Sequence, residues 1–295
     1  MNAFPRTVVG GVSVSRMIIG TNWFLGFTHS TKSQSEYIQR TVTNRKSIAG
    51  IIEVFLRAGV DTIMCPHIAT VIPEAIKDAQ DRVGRPVIIV STPMFTTTPT
   101  TPQDGFDMGE VARILDGEVA KGVTFCMPHM GTTDKMLDKC SRTLRQMDVL
   151  SAHIRQRGMI PGLSTHAPET VIYADETGLD VETYIQPLNL AGFLMQVEVD
   201  WIVSVIRKAA KPVMTIKPMA AGQVRPFQAL TFVWNVIRQQ DMVTVGTASP
   251  EEAAELIELS LGILQNRGQV TAAGSAPVED PLKLNLQKTR SKATL

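Results

Sequence analysis

Hydrophobic residues along this chain follow two alternating patterns. Eight short runs of apolar and β-branched residues have the composition of buried strands, and longer segments with the spacing of amphipathic helices separate them. The predicted strands cover residues 16–20, 60–64, 86–90, 123–126, 159–163, 181–185, 212–216 and 242–245. The predicted helices cover residues 46–58, 107–120, 135–157, 199–209, 227–239 and 250–265.

The number and alternation of these elements predict the fold class. Eight strands that alternate with helical segments favour an α/β protein with a (β/α)8 TIM barrel, and a doubly wound open sheet is the alternative. The chain has 295 residues, which exceeds the roughly 250 residues typical of such a barrel and leaves room for an N-terminal β-hairpin and a tail. We therefore expect a single barrel over residues 1–267 and an irregular C-terminal tail over residues 268–295.

Charge and composition narrow the range of functions. The formal net charge is +1 at pH 7 with mixed signs along the chain, which argues against nucleic-acid or membrane binding through bulk electrostatics. No apolar run is long enough to span a bilayer, and the N-terminus lacks the residue order of a signal peptide. We expect a cytoplasmic protein that binds a small-molecule substrate, and we leave a homo-oligomer open.

Four of the five histidines each follow a predicted strand by a few residues: His29, His67, His129 and His166. The carboxyl ends of the strands of a (β/α)8 barrel meet at one rim, which carries the active site. Neutral imidazole is the commonest metal ligand, and three protein ligands leave a coordination position for water or substrate. This pattern predicts a divalent metal centre (Zn, Mn, Fe, Co or Ni), and hydrogen-bonding loop histidines are the simpler alternative.

Several short motifs, in chain order, resemble the aldo-keto reductase superfamily. Residues 8–21 (VVGGVSVSRMIIGT) resemble the family's N-terminal hairpin and first strand, and residues 59–62 (GVDT) resemble its second strand. Residues 162–164, 186–189, 217–222 and 245–252 resemble its fifth to eighth strands with the loops and helix that follow. The resemblance implies a TIM barrel and, as the family's usual activity, carbonyl reduction with NADP(H).

The catalytic residues of that family are only partly present. Asp61 stands at the position of its aspartate, and His129 stands near that of its histidine. Pro66 occupies the position of the tyrosine that donates a proton, and residues 90–93 (VSTP) lack the expected lysine. Proline has no proton to donate, and serine or threonine supplies no cation. The resemblance therefore implies the fold more directly than the usual mechanism.

The predicted turn before the last helix is a candidate cofactor site. It comprises Gly246, Thr247, Ala248 and Ser249, whose backbone N–H groups at a helix N-terminus suit a phosphate. The turn lacks the basic side chains with which the family holds the adenosine 2′-phosphate. The turn could therefore bind NADP(H), bind a phosphate group of the substrate, or bind no phosphate.

Further polar and aromatic residues complete the candidate site. Lys217, at the end of the seventh predicted strand, would act as a general base or bind an anionic substrate. The candidate substrate-binding residues are two amides, one aromatic ring and two carboxylates: Asn22, Asn189, Trp23, Glu169 and Glu198.

Three functions follow from these features. The first is a metal-dependent lyase, isomerase or hydrolase that acts on a sugar-like carbonyl or hydroxyl compound, with Asp61, His67, His129 and Lys217 as catalytic residues. The first alternative is an NAD(P)H-dependent reductase in which a histidine donates the proton. The second alternative is a binding barrel without catalytic activity.

Overall fold

A computed structural model describes residues 3–65, 71–97 and 105–272. The strands are β1 (Arg6–Val9), β2 (Val12–Ser15), β3 (Met17–Gly20), β4 (Thr62–Cys65), β5 (Ile88–Ser91), β6 (Phe125–Cys126), β7 (Leu137–Asp138), β8 (Thr143–Leu144), β9 (Ile160–Pro161), β10 (Leu163–Ser164), β11 (Tyr184–Pro187), β12 (Val213–Ile216) and β13 (Met242–Val245). The helices are α1 (Lys32–Thr41), α2 (Arg45–Arg57), α3 (Val71–Val83), α4 (Met108–Ala120), α5 (Met130–Thr133), α6 (Met147–Gln156), α7 (Pro168–Glu176), α8 (Val199–Lys208), α9 (Pro226–Val236) and α10 (Pro250–Ala272). A short 3₁₀ helix spans Ala220–Gly222.

A parallel sheet forms the barrel that the sequence predicts. Its strand order is β10-β11-β12-β13-β3-β4-β5-β6-β9, and β9 and β10 are the two halves of one barrel strand on either side of Gly162. A Cβ atom on Gly162 would lie 2.8 Å from the carbonyl oxygen of Thr183, so only glycine allows this close approach of neighbouring strands. The sheet therefore has eight barrel strands, and the (β/α)8 fold is confirmed.

Two apolar layers hold the barrel together. One lies between the strands and the surrounding helices, and α2 contributes Ile48, Ile51, Ile52 and Phe55 to it from one face. The other fills the barrel interior and includes Ile18 and Met214. Val9 and Val14 of the β1–β2 hairpin join this inner layer, so the hairpin closes the amino end of the barrel and leaves the carboxyl end open.

The structure corrects parts of the sequence prediction. The helix predicted over residues 135–157 is wrong in its first half, where β7 and β8 form an antiparallel hairpin and helix begins only at Met147. The predicted strand 181–185 begins later, at Tyr184. The last helix, predicted over residues 250–265, continues to Ala272, and residues 273–295 lie outside the described residues. No described helix is both long and apolar enough to cross a membrane.

Candidate active site

A cavity of about 370 Å³ opens at the carboxyl ends of the barrel strands. Its wall is built by the residues at the ends of β3, β4, β10, β11, β12 and β13 and by the loops that follow several of them. Three predicted histidines, His29, His129 and His166, line it together with Lys217. The fourth, His67, lies outside the described residues. The cavity therefore brings together four of the candidates that are far apart in the sequence.

Lys217 is a basic residue in the wall of this cavity. It follows β12 directly, and its side chain is half-buried. Burial lowers the pKa of its ammonium group, because desolvation disfavours the charged form. Within the part of the chain that the structure describes, this ammonium group has no hydrogen bond or ion pair.

The backbone around Lys217 has an unusual conformation. Lys217 has a φ angle of 63°, and Ala220 and Ala221 have φ angles of 49° and 56°. Side chains other than glycine rarely adopt this left-handed region, and such strain occurs preferentially at functional sites. The β12–α9 loop therefore holds Lys217 at the cavity in a strained backbone conformation.

His129 has a defined ring orientation. It is the N-cap residue of α5, and its Nδ1 atom accepts a hydrogen bond from the backbone N–H of Gly131 at 3.1 Å. A nitrogen that accepts carries no proton, so the neutral ring must carry its proton on Nε2. Burial, and then the charge of Lys217, lower the pKa of His129. His129 is thus a neutral donor at the cavity wall.

The backbone of His166, which follows β10, is held by a partly buried carboxylate. Asp134 accepts a hydrogen bond from the His166 backbone N–H at 3.1 Å and another from the Thr165 hydroxyl. Burial lowers the pKa of His166 to about 4, with smaller contributions from Lys217 and the two other histidines. Asp134 is also the C-cap residue of α5, whose N-cap residue is His129, so it connects the two segments that carry these histidines.

His29 lies at the exposed rim of the cavity. Its ring contacts Phe193 edge to face, with 6.3 Å between the ring centroids. The side chain of Asn189 stabilises the loop that carries Phe193: its amide donates to the Phe193 carbonyl at 2.9 Å and accepts from the Phe193 N–H at 2.8 Å. Asn189 is fully buried and therefore shapes the loop after β11, whereas the sequence predicted a substrate contact.

The other predicted substrate residues divide into two groups. Asn22 and Trp23 line the cavity. Glu169 forms an ion pair with Lys139 at 2.7 Å, and Glu198 is the exposed N-cap residue of α8. Neither carboxylate is among the lining residues of the cavity.

Asp61 lies at the other end of the barrel from the cavity. It precedes β4, and its carboxylate forms an ion pair with Arg6 of the N-terminal hairpin at 2.8 Å. The residue of β4 that lines the cavity is Met64, near the carboxyl end of the strand. The ion pair attaches the hairpin to the barrel, so this position supports a structural role for Asp61 and gives no support to the catalytic one.

The predicted cofactor turn caps helix α10. The Glu252 carboxylate accepts a hydrogen bond from the Ala248 N–H at 2.6 Å, and Ser249 Oγ accepts one from the Glu252 N–H at 3.2 Å. Gly246 and Glu252 line the cavity. The buried hydroxyl of Thr247 has no hydrogen-bond partner among the described residues.

Sequence reasoning missed several residues of this site. Asp134 carries no motif, and its link to His166 arises only when two loops meet in space. Arg225 lines the rim but stands in an ordinary loop sequence. Glu252 is recognisable only as a helix cap, because the Ser249-Pro250-Glu251-Glu252 run has the pattern of a helix start.

The described residues do not support the predicted metal centre. They contain no group of three or more His, Cys, Asp or Glu side chains arranged to hold a metal ion. A histidine that binds a metal normally donates its second ring N–H to an acceptor, whereas the second nitrogen of His129 accepts from Gly131. Nε2 of His129 therefore carries the proton that a metal ligand would have to lose.

Solved structures with the same architecture include several aldo-keto reductases. A Pseudomonas aeruginosa protein assigned to that family matches with a TM-score of 0.63 at 17% identity, over 89% of this chain and 98% of its own. The glycerol dehydrogenase AKR11B4 from Gluconobacter oxydans matches with a TM-score of 0.56 at 11% identity, over 94% and 98%. An aldo-keto reductase from Brucella melitensis matches with a TM-score of 0.53 at 12% identity, over 88% and 93%.

These similarities lie in the fold. No family model matches the chain, and no curated protein matches its sequence significantly. At such low identity the structural likeness establishes the architecture alone. The chain shares the (β/α)8 barrel of these solved structures, so the fold that the resemblance implied is confirmed.

Proposed function

We propose that this protein is an oxidoreductase that reduces a small carbonyl compound with a nicotinamide dinucleotide as hydride donor. The observation that carries the proposal is the cavity at the barrel mouth, which is lined both by the ammonium group of Lys217 and by the neutral ring of His129. Fold similarity to aldo-keto reductases, one of them a glycerol dehydrogenase by name, supports the same reaction class.

The β13–α10 turn has features that fit a dinucleotide. A Cβ atom on Gly246 would meet nothing within 4 Å, so open space lies beside this backbone. The neighbouring Thr247 has a buried hydroxyl that lacks a hydrogen-bond partner among the described residues, whereas buried polar groups usually have one. Gly246, which lines the cavity, and Thr247 behind it would hold the dinucleotide, which when bound supplies a hydride to the carbonyl carbon.

The residues of the cavity would stabilise the charge that develops on the carbonyl oxygen. The Nε2–H of His129 would donate a hydrogen bond to this oxygen, and the Lys217 ammonium group would lie near it and give up a proton. Preorganised donors of this kind stabilise a transition state strongly in a desolvated site. Because burial lowers the pKa of Lys217, its proton leaves more readily than that of an exposed lysine.

Lys217 suits the role of proton donor better than a histidine does. The pKa values of His29, His129 and His166 all lie below the usual value, mainly because of burial. Rings of this kind are neutral near pH 7 and have no second proton to give. We therefore assign hydrogen bonding to His129 and proton donation to Lys217, in place of the histidine donor that the sequence suggested.

The test is oxidation of NADH and NADPH, followed by absorbance, with a panel of small aldehydes, ketones and 2-oxo acids. We expect turnover by the wild type and its loss in Lys217→Met. Lys208→Met is the matched control, because Lys208 is an exposed lysine on α8 outside this cavity. Absence of turnover with every compound, together with no binding of either dinucleotide, would overturn the proposal.

A further inference from the structure

The amine of Lys217, to which the described residues offer no hydrogen bond or ion pair, supports chemistry that carbonyl reduction does not use. A partly desolvated ammonium group without a carboxylate partner is less stable than one in water. A larger fraction of the amine is therefore neutral at a given pH, and the neutral amine has a lone pair. Amines in such surroundings serve as nucleophiles toward carbonyl groups.

The other ionisable groups at the cavity wall affect the protonation of the Lys217 amine in opposite directions. His29, His129 and His166 add no positive charge near pH 7, and Arg225 is a cation at the rim that disfavours a second cation. Glu252 is the only acidic residue among the described lining residues, and it is engaged with the Ala248 N–H. No described carboxylate pairs with the Lys217 ammonium group.

We propose that Lys217 is a nucleophile that forms an imine with a small aldehyde or 2-oxo acid, which gives this protein an activity beyond carbonyl reduction. The Nζ lone pair forms a bond to the carbonyl carbon, and the π pair of the C=O bond moves to the oxygen. One proton from nitrogen passes to that oxygen through solvent or a neighbouring histidine. Loss of the hydroxyl group as water, after it takes one more proton, leaves a protonated imine.

The protonated imine makes an adjacent C–H bond acidic, because the electron pair of that bond can move onto the nitrogen. A neutral imidazole has one nitrogen that can accept this proton. His129 uses that nitrogen to cap α5, and His29 lies at the exposed rim, so we assign the step to His166, whose backbone N–H is held by Asp134. Removal of the proton gives an enamine, and its return from solvent restores the imine. The predicted activity is exchange of the protons beside the carbonyl group with solvent.

Borohydride trapping tests the covalent step. The wild-type protein is incubated with pyruvate, reduced with sodium borohydride, digested and analysed by mass spectrometry. We expect the peptide that contains Lys217 to gain the mass of pyruvic acid less one oxygen atom, only when pyruvate and borohydride are both present. The adduct should be absent from Lys217→Arg, which keeps the positive charge but removes the nucleophilic amine.

Lys208→Arg is the matched control, since it removes an exposed lysine of α8 and should leave the adduct on Lys217 unchanged. Labelling of Lys208 to the same extent as Lys217 in the wild type would show ordinary surface reactivity and overturn the proposal. Absence of any adduct on Lys217, in protein whose circular dichroism is native, would also overturn it.

Proton exchange in D2O provides a second readout. We expect the methyl protons of pyruvate to exchange faster with wild-type protein than in buffer, and at the buffer rate with Lys217→Arg. His166→Gln should slow exchange while the borohydride adduct persists, because the imine still forms. The imine proposal does not rest on the reductase assignment, because trapping proceeds without dinucleotide. Either proposal can therefore fail while the other holds.

Discussion

The Nδ1 atom of His129 accepts a hydrogen bond from the Gly131 backbone N–H at 3.1 Å. This contact makes His129 the N-cap residue of α5 and leaves its proton on Nε2. One side chain thus ends a loop and offers a donor at the cavity wall. Substitution can separate the two roles. The asparagine amide can replace the Nδ1 acceptor, and the glutamine amide can replace the Nε2 donor.

His129→Asn should keep the cap and lose the cavity donor, since asparagine is a favoured N-cap residue but is too short to replace Nε2. We expect kcat for carbonyl reduction to fall by about 100-fold, the usual effect of losing one such donor. Stability in urea should change by less than about 0.5 kcal/mol, because the cap persists. His129→Gln places an amide near the Nε2 position but does not cap the helix. It should lower stability in urea more, and kcat less, than His129→Asn does.

Lys217→Met should stabilise the protein while it abolishes turnover. The methionine side chain fills similar space without a partly desolvated charge, so we expect the free energy of unfolding at pH 7 to rise by about 1 kcal/mol. The folded pKa of Lys217 lies below its usual value of 10.5, so unfolding takes up a proton between these two pKa values. The advantage of the variant should therefore shrink as the pH rises toward 10.5, and a constant difference across this range would contradict the assignment.

His166 should make the protein sensitive to acid. Its pKa falls from 6.5 in the unfolded chain to about 4 in the folded one, so stability is lost as the pH falls from 6.5 to about 4. Allowing for solvent screening, we expect a loss of about 2 kcal/mol from this residue. Urea unfolding of His166→Gln should show a smaller loss over the same range. His153→Gln on α6, outside the cavity, is the control and should behave as the wild type.

Asp61 should matter for stability and not for turnover. Asp61→Asn weakens the ion pair that attaches the N-terminal hairpin to the barrel, and we expect a loss of about 1 kcal/mol of unfolding free energy. The kcat for carbonyl reduction should stay at the wild-type value, because the carboxylate lies at the opposite end of the barrel. A fall in kcat of about 100-fold, typical of a lost general acid or base, would restore the catalytic role that the sequence suggested.

Glu252 should favour NADH over NADPH. Its carboxylate lies at the cavity beside the β13–α10 turn, which we propose as the binding site of the dinucleotide. A carboxylate accommodates a ribose hydroxyl and repels a 2′-phosphate. We expect fluorescence titrations that follow Trp23 in the cavity wall to give a lower Kd for NADH. Glu252→Gln, which retains an acceptor for the Ala248 N–H, should reduce the difference, and tighter binding of NADPH to the wild type would refute this assignment.

The periodicity of the sequence determined the barrel and most of its elements. Strand β13 spans Met242–Val245 as predicted, and α2, α4 and α8 lie within one residue of their predicted starts. Hydrophobic spacing carries this information because each element must bury one face, whatever its neighbours are. The same reasoning failed over residues 135–146, where the β7–β8 hairpin is too short to show a period.

The placement of three histidines and Lys217 at one cavity also followed from the sequence, because the carboxyl ends of barrel strands converge. Only the tertiary structure decided what these groups do there. It showed that Asp61 faces the barrel floor, that Asn189 is bound within its own loop and that Asp134 holds His166. Proton positions and pKa shifts depend on burial and on contacts between distant loops, and no local pattern of residues encodes those.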